Sequence, residues 1–219
     1  ADVEAFEATF SSKQRNTQRR KWRRLQRLGA EPRLISDPEE IAPAVRRLIE
    51  LRRARAIAMA QRHGHMDQRF ERFMTEAIRE LLPDGARLWT LELGDETLAM
   101  RLNVAQGPRE HSYLLGLSDL HHALSPGSGI ERHAILEAIK AGRTEFDLGP
   151  GRHEYKYRLG GVDREMTELV VPSPTARGQA VGRLAAIDVH LRASGLASRV
   201  RERRGVLDER ATARRPRVG

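Results

Sequence analysis

The sequence predicts an α/β (α+β) fold in which helices flank a mixed, mostly antiparallel sheet. Two observations carry this. Apolar residues recur at helical spacing up to Leu81, alternate from Leu88 to Leu117, and return to helical spacing after Pro126. Turns containing Gly or Pro separate most of these blocks. Helices, then a run of strands, then helix, strand and helix again describe one layered sheet protein.

The elements follow in order. Ser11 to Pro32 reads "SSKQRNTQRRKWRRLQRLGAEP". Trp22, Leu25 and Leu28 share one helical stripe, and Arg and Lys cover the rest. Ser11 or Ser12 caps the start and Gly29 ends it. The next helix has Asp37 as cap, Pro38 at its first position and acids in its first turn. Its inner face is Ile41, Val45, Leu48, Ile49 and Ile57, and Gly64 stops it. A third helix turns Phe70, Phe73, Met74, Ala77, Ile78 and Leu81 inward before a Pro-Asp-Gly stop.

A hairpin then runs Leu88–Leu93 and Leu98–Ala105, turning at Gly94–Asp95. "REHSYLLGLS" is a third strand. "SPGSGIERHAILEAIKAG" is a Gly-rich turn feeding a helix, and "TEFDLG" is a short strand. "EMTELVV" reads as another strand, stopped by Pro172. "SPTARGQAVGRLAAIDVHLRASG" is a last helix, interrupted by Gly178 and Gly182. From Arg199 the chain is Arg-rich and poor in apolar residues, the composition of a frayed or disordered tail. The expected division is a basic helical lead-in over 1–35, the sheet domain over 36–172, and a C-terminal helix and tail over 173–219.

The chain has 219 residues, enough for one large domain or a domain with appendages. Its net charge of +9 suits anionic partners: phosphates, nucleic acid or an acidic surface. There is no Cys, which excludes disulfides, cysteine nucleophiles and thiolate metal sites. No apolar run approaches the roughly 18 residues of a membrane span. The start, "ADVEAFEATF", has acids where a cationic leader would sit. The cytoplasm is therefore the expected compartment. The start on Ala also fits a fragment or a processed chain.

Besides the basic segment Ser11 to Pro32, which can contact nucleic-acid or membrane phosphates but reads more plainly as a solvated helix face, three sets of residues can carry chemistry. The first is "LSPGSGIERHAI". A Gly-rich turn before a helix leaves backbone N–H groups facing an anion, and a pyrophosphate is the natural guest. An ordinary helix start capped by Ser128 is the plainer reading. No Lys follows Gly129, so the turn is not a P-loop. The second is "FDLGPGRHEYKYRLGG". Lys156 between Tyr155 and Tyr157, in a Gly-flanked turn, can reach a phosphate or a developing oxyanion; a snorkelling surface lysine is the alternative. The third is the histidines: His63, His65, His111, His121, His122 and His133. None shows metal-ligand spacing with a carboxylate, so no metal site is expected. His121 or His122 can act as a general base, against the plainer reading of exposed loop histidines.

The two glycine motifs and the order of elements resemble the GNAT acyltransferase superfamily. More closely, the chain is similar to the CelD-like branch associated with cellulose and exopolysaccharide biosynthesis, itself related to Fem-type peptidyltransferases. The residues that carry this are "SSKQRNTQRRKWRRLQRLG", "LAMRLNVAQGPREHSYLLGLSD", "SPGSGIERHAILEAI" and "FDLGPGRHEYKYRLGG". The resemblance implies a GNAT fold that takes acetyl-CoA or another acyl-CoA. It implies a donor diphosphate at Ser125, Gly127, Ser128, Gly129 and Ile130, with Tyr155 alongside. It implies that Lys156 stabilises the acyl-transfer intermediate, accompanied by Asp147 and Glu154, with His122 as a further proton-transfer candidate. The expected function is acyl transfer to an amine or hydroxyl, in polysaccharide or cell-surface biosynthesis. Two alternatives stand beside it: a Fem-like transferase using aminoacyl-tRNA, and a non-catalytic subunit of a polysaccharide-biosynthesis complex. A second GNAT-like half or a homodimer is the expected protein partner.

Overall fold

The structure, a computed structural model, describes residues 2–58, 66–167, 169 and 171–193. It separates into two units, Ala1–Asp163 and Arg164–Gly219. The first unit begins with a short helix α1 (Val3–Ala8) and the basic helix α2 (Ser12–Arg27). Ser11 starts α2 with a capping box: its hydroxyl accepts the Gln14 N–H at 3.3 Å, and Gln14 accepts the Ser11 N–H at 3.0 Å. Next come β1 (Ala30–Ile35), α3 (Pro38–Ala58) and α4 (Gln68–Leu81). Then follow β2 (Ala86–Leu93), β3 (Glu96–Gln106) and β4 (Arg109–Leu117). A 3-10 turn (His122–Leu124), α5 (Pro126–Lys140), β5 (Glu145–Asp147) and α6 (Glu154–Arg158) complete the unit.

The five strands lie in sequence order. The first three pairings are antiparallel, and β4 with β5 is parallel. This is the mixed, mostly antiparallel sheet with flanking helices that the hydrophobic periods predict. One face carries α3 and α4 over Ile35, Leu88, Met100 and Leu102. The other carries α2 and α5 over Trp89, Leu91 and Ala99. Alternation along β2 and β3 decides which side chain goes to which core.

Four expectations are corrected. The strand β1 has no counterpart in the sequence reading, because Pro32 breaks the strand signature; it is tolerated at the sheet's edge. The strand expected at "EMTELVV" does not form among its described residues, and Met166, Leu169 and Val171 are exposed. The Lys156 turn is the short helix α6. Ile57, Phe73 and Leu81 point outward rather than into the core. Met74 and Ile78 alone are fully buried on α4, so its true buried stripe is narrower than the apolar pattern. The Gly64 stop, His63, His65 and the tail from Arg199 lie outside the described residues.

In the second unit, α7 (Ala176–Ala193) forms despite Gly178 and Gly182. Both glycines lie where the preceding segment rests on the helix, at Ser173 and Pro172, and a Cβ at either position would collide with it. Thr175 caps the first turn, its hydroxyl accepting the Gly178 N–H at 3.1 Å.

Candidate functional site

The parallel ladder of β4 and β5 is very short. Arg109, Glu110 and His111 pair with Glu145, Phe146 and Asp147, and there β5 stops. β4 runs on to Leu117 with no strand partner on that side among the described residues. The two chains therefore part like a wedge, whose narrow end is marked by Gly149 against the Ser112 carbonyl. The turn Ser125–Ser128 at the start of α5 closes one wall. Leu148, Gly149, Pro150, Tyr155 and Lys156 close the other.

The first turn of α5 is open. Pro126 stands at its start, no side chain caps it, and no acid lies within it. The N–H groups of Gly127 and Ser128 have no intrahelical acceptor by helix geometry, whereas the Gly129 N–H is taken by the Ser125 carbonyl at 3.0 Å. Ser125 and His121 both adopt the left-handed conformation, at φ 54° and φ 52°. For residues with a Cβ this is a strained backbone, of the kind that clusters at functional turns. The turn itself has no cation, but Lys21 of α2 reaches it, donating to the Ser125 hydroxyl at 2.8 Å. Uncapped donors, a helix dipole and a neighbouring ammonium together make an anion cradle.

Lys156 is 8% exposed and lies on the cavity wall. Its ammonium donates to the carbonyls of Gly149 and Pro150, both at 2.7 Å. A lysine ammonium has three donors, so one remains. Burial lowers its pKa, opposed by the charges of Asp147 and Glu131 and reinforced by Arg101. Tyr155 lines the same wall, and burial raises its phenol pKa.

The other expected residues separate into two groups. His122, Ser125, Gly127 and Ser128 line the wedge with Tyr155 and Lys156. The rest do not. Ile130 is fully buried in the core beneath α2 and α5. Gly129 faces Trp22; a Cβ there would lie 2.9 Å from the indole, so this glycine lets α5 pack on α2. Asp147 accepts the Gly149 N–H at 2.7 Å and lies 3.5 Å from His111, shaping the turn at the end of β5. Glu154 pairs with Arg158 on the exposed side of α6.

The sequence reading missed a buried ion pair in this wall. Glu131 of α5 and Arg101 of β3 meet at 2.9 Å, and Glu131 also accepts the Ser112 hydroxyl at 2.6 Å. Glu131 is 1% exposed and Arg101 5%. Burial pushes the Glu131 carboxyl up and Arg101 holds it back. Its Oε2 has no hydrogen-bond partner among the described residues. The available signals were an arginine inside the apolar run "LAMRLNV" and an acid on the buried stripe of α5. Among the described residues no group of His, Asp and Glu could hold a metal ion.

The family described as "Acetyltransferase (GNAT) domain" matches residues 12–157, more than half of the chain. No curated protein matches. Among solved structures, a possible acetyltransferase from Clostridium difficile 630 is similar at a TM-score of 0.47 and 11% identity, covering 65% of this chain and 97% of its own.

Proposed function

The chain belongs to the GNAT acetyltransferase family, and from that premise we propose that its wedge binds an acyl-CoA and passes the acyl group to an amine or hydroxyl. The observation that carries this is the pairing of an uncapped, cation-flanked α5 N-terminus with a buried lysine across one cavity. The Gly127 and Ser128 N–H groups and Lys21 would hold the diphosphate. The pantetheine arm would run along the unpartnered edge of β4, replacing the missing strand. The acceptor's lone pair attacks the thioester carbonyl carbon, the carbonyl π electrons move to oxygen, and the tetrahedral species collapses with loss of the CoA thiolate. The nucleophile's proton must leave as well.

Lys156 has one donor left for the developing oxyanion, and its other two are fixed by Gly149 and Pro150. Such preorganisation is what makes an oxyanion donor effective, because nothing reorganises as charge develops. Of His122, Asp147 and Glu154, only His122 lines the cavity, which supports it as the proton acceptor. A carbohydrate acceptor is favoured by the CelD-like resemblance alone. No helix among the described residues is long and apolar enough to cross a membrane.

Calorimetry and thiol release test this reading. Acetyl-CoA should bind the wild-type chain saturably. Lys156→Ala should lower kcat by about a hundred- to a thousandfold. Its CoA affinity should stay within about threefold, roughly 0.7 kcal/mol. Loss of CoA binding in parallel with turnover would reduce Lys156 to a strut for the 149–150 loop. Undiminished turnover would remove it from the chemistry.

A further inference from the structure

We infer that the acceptor for this cavity carries an anionic group, bound by Arg52 and Arg55; this rests on the acyl-transfer reading of the wedge. Both arginines belong to the C-terminal part of α3 and line the cavity. Spaced three apart, they lie side by side on one helix face.

Their neighbours are already neutralised or engaged. Arg46 pairs with Glu71, Arg47 with Glu50, and Arg101 with Glu131, while Arg53 donates to the Met66 carbonyl. Arg52 and Arg55 have no carboxylate or carbonyl partner among the described residues. A helix C-terminus favours cations, which gives Arg55 a structural reason to be basic. It does not explain two unpaired guanidinium groups on the wall of a cleft. Arg52 shares the cavity lining with Arg101 and Tyr155.

Position separates these arginines from the donor's phosphates. α3 packs on the sheet face of Leu88, Met100 and Leu102, and α5 packs on the opposite face. The cavity passes around the unpartnered edge of β4 and touches both helices. A donor anchored at the α5 N-terminus enters from one side, which leaves the α3 side to the acceptor. The charges there do not cancel. Arg101 and Glu131 offset each other, and Lys156 leans on two carbonyls, so the field on the α3 side comes from Arg52 and Arg55. A guanidinium pair in a cleft focuses that field and presents planar forks to a carboxylate or a phosphate.

Matched acceptor probes test the inference. Protein saturated with coenzyme A is titrated by calorimetry with phosphoethanolamine and ethanolamine, and with glycine and glycinamide. The same four amines are assayed for CoA thiol release from acetyl-CoA. At least one anionic member should bind about tenfold or more tightly than its neutral twin, and which pair responds tells phosphate from carboxylate. The Arg52→Gln/Arg55→Gln protein should lose that preference while keeping its coenzyme A affinity. No preference in either pair, or a preference that survives in the double variant, overturns the inference. If coenzyme A does not bind at all, the acyl-transfer reading fails by itself. The same titrations on the free protein then decide whether Arg52 and Arg55 form an anion site.

Discussion

The two faces of the sheet bury their residues by different rules. Under α3 and α4, the core is aliphatic and Met side chains from Ile35 to Leu102, with no charge among its members. Under α2 and α5, the apolar cluster around Trp89 and Ile130 adjoins a chain of buried polar groups. Glu131 meets Arg101, Arg101 donates to Asn103 at 3.3 Å, and Asn103 donates to Glu110 at 2.7 Å. Arg87 approaches Glu110 at 4.0 Å. The first face is cheap to build, because it buries no charge. The second is costly, because buried charges lose their hydration and depend on one another to compensate. The costly face is the one whose helix opens onto the wedge. The buried charges lie on one side of the sheet, while the other adds only the partly exposed Arg52 and Arg55 to the cavity.

That contrast is breakable. The largest effect is expected at Arg101→Met, which strands Glu131 and should cost about 3–5 kcal/mol in chemical denaturation. Adding Glu131→Gln to it should recover much of the loss, since no orphan charge remains. A double variant no more stable than the single would mean that the pair is not the unit. Leu88→Ala on the aliphatic face should cost about 2–5 kcal/mol through its cavity. It should leave coenzyme A affinity unchanged in calorimetry, and a loss of affinity there would show that the two faces are not separable.

The smallest effect concerns pH. Burial raises the Glu110 pKa, against the Asn103 hydrogen bond and the Arg87 charge, so the folded state holds its proton more tightly than the unfolded chain. Its contribution to stability is full below the ordinary value of 4.5 and is lost as pH rises through the raised value. Glu110→Gln should flatten that part of the stability–pH curve, read from denaturation midpoints between acid and neutral pH. An unchanged slope would assign the pH dependence to Glu131 instead, the other buried carboxyl raised by desolvation.

Much of this was legible in the chain. Helix starts such as Asp37 and Ser11 follow from side-chain oxygens that reach the first free N–H groups. The alternation in "RLWTLEL" and "TLAMRLNV" marks the hairpin that the structure forms. Where the sequence misled, the cause was tertiary. "EMTELVV" has strand chemistry, yet its described residues join no strand and its apolar side chains stay exposed. "AEPRLI" has a Pro and still becomes a strand, since β2 offers it an edge.

The site divides in the same way. Spacing alone singled out Gly127 and Ser128 at a helix start and Tyr155 and Lys156 after a strand, though it read the latter pair as a turn rather than α6, because glycines and helix starts act within a few residues of themselves. Only the folded chain decided that Lys21 serves a turn more than a hundred residues away, that Glu131 finds Arg101, and that Gly129 yields to Trp22. Only there does Ile130 turn out to be core. Local spacing fixes which face of an element a residue takes. Which faces then meet depends on register and packing between distant segments, and no window of sequence contains both partners.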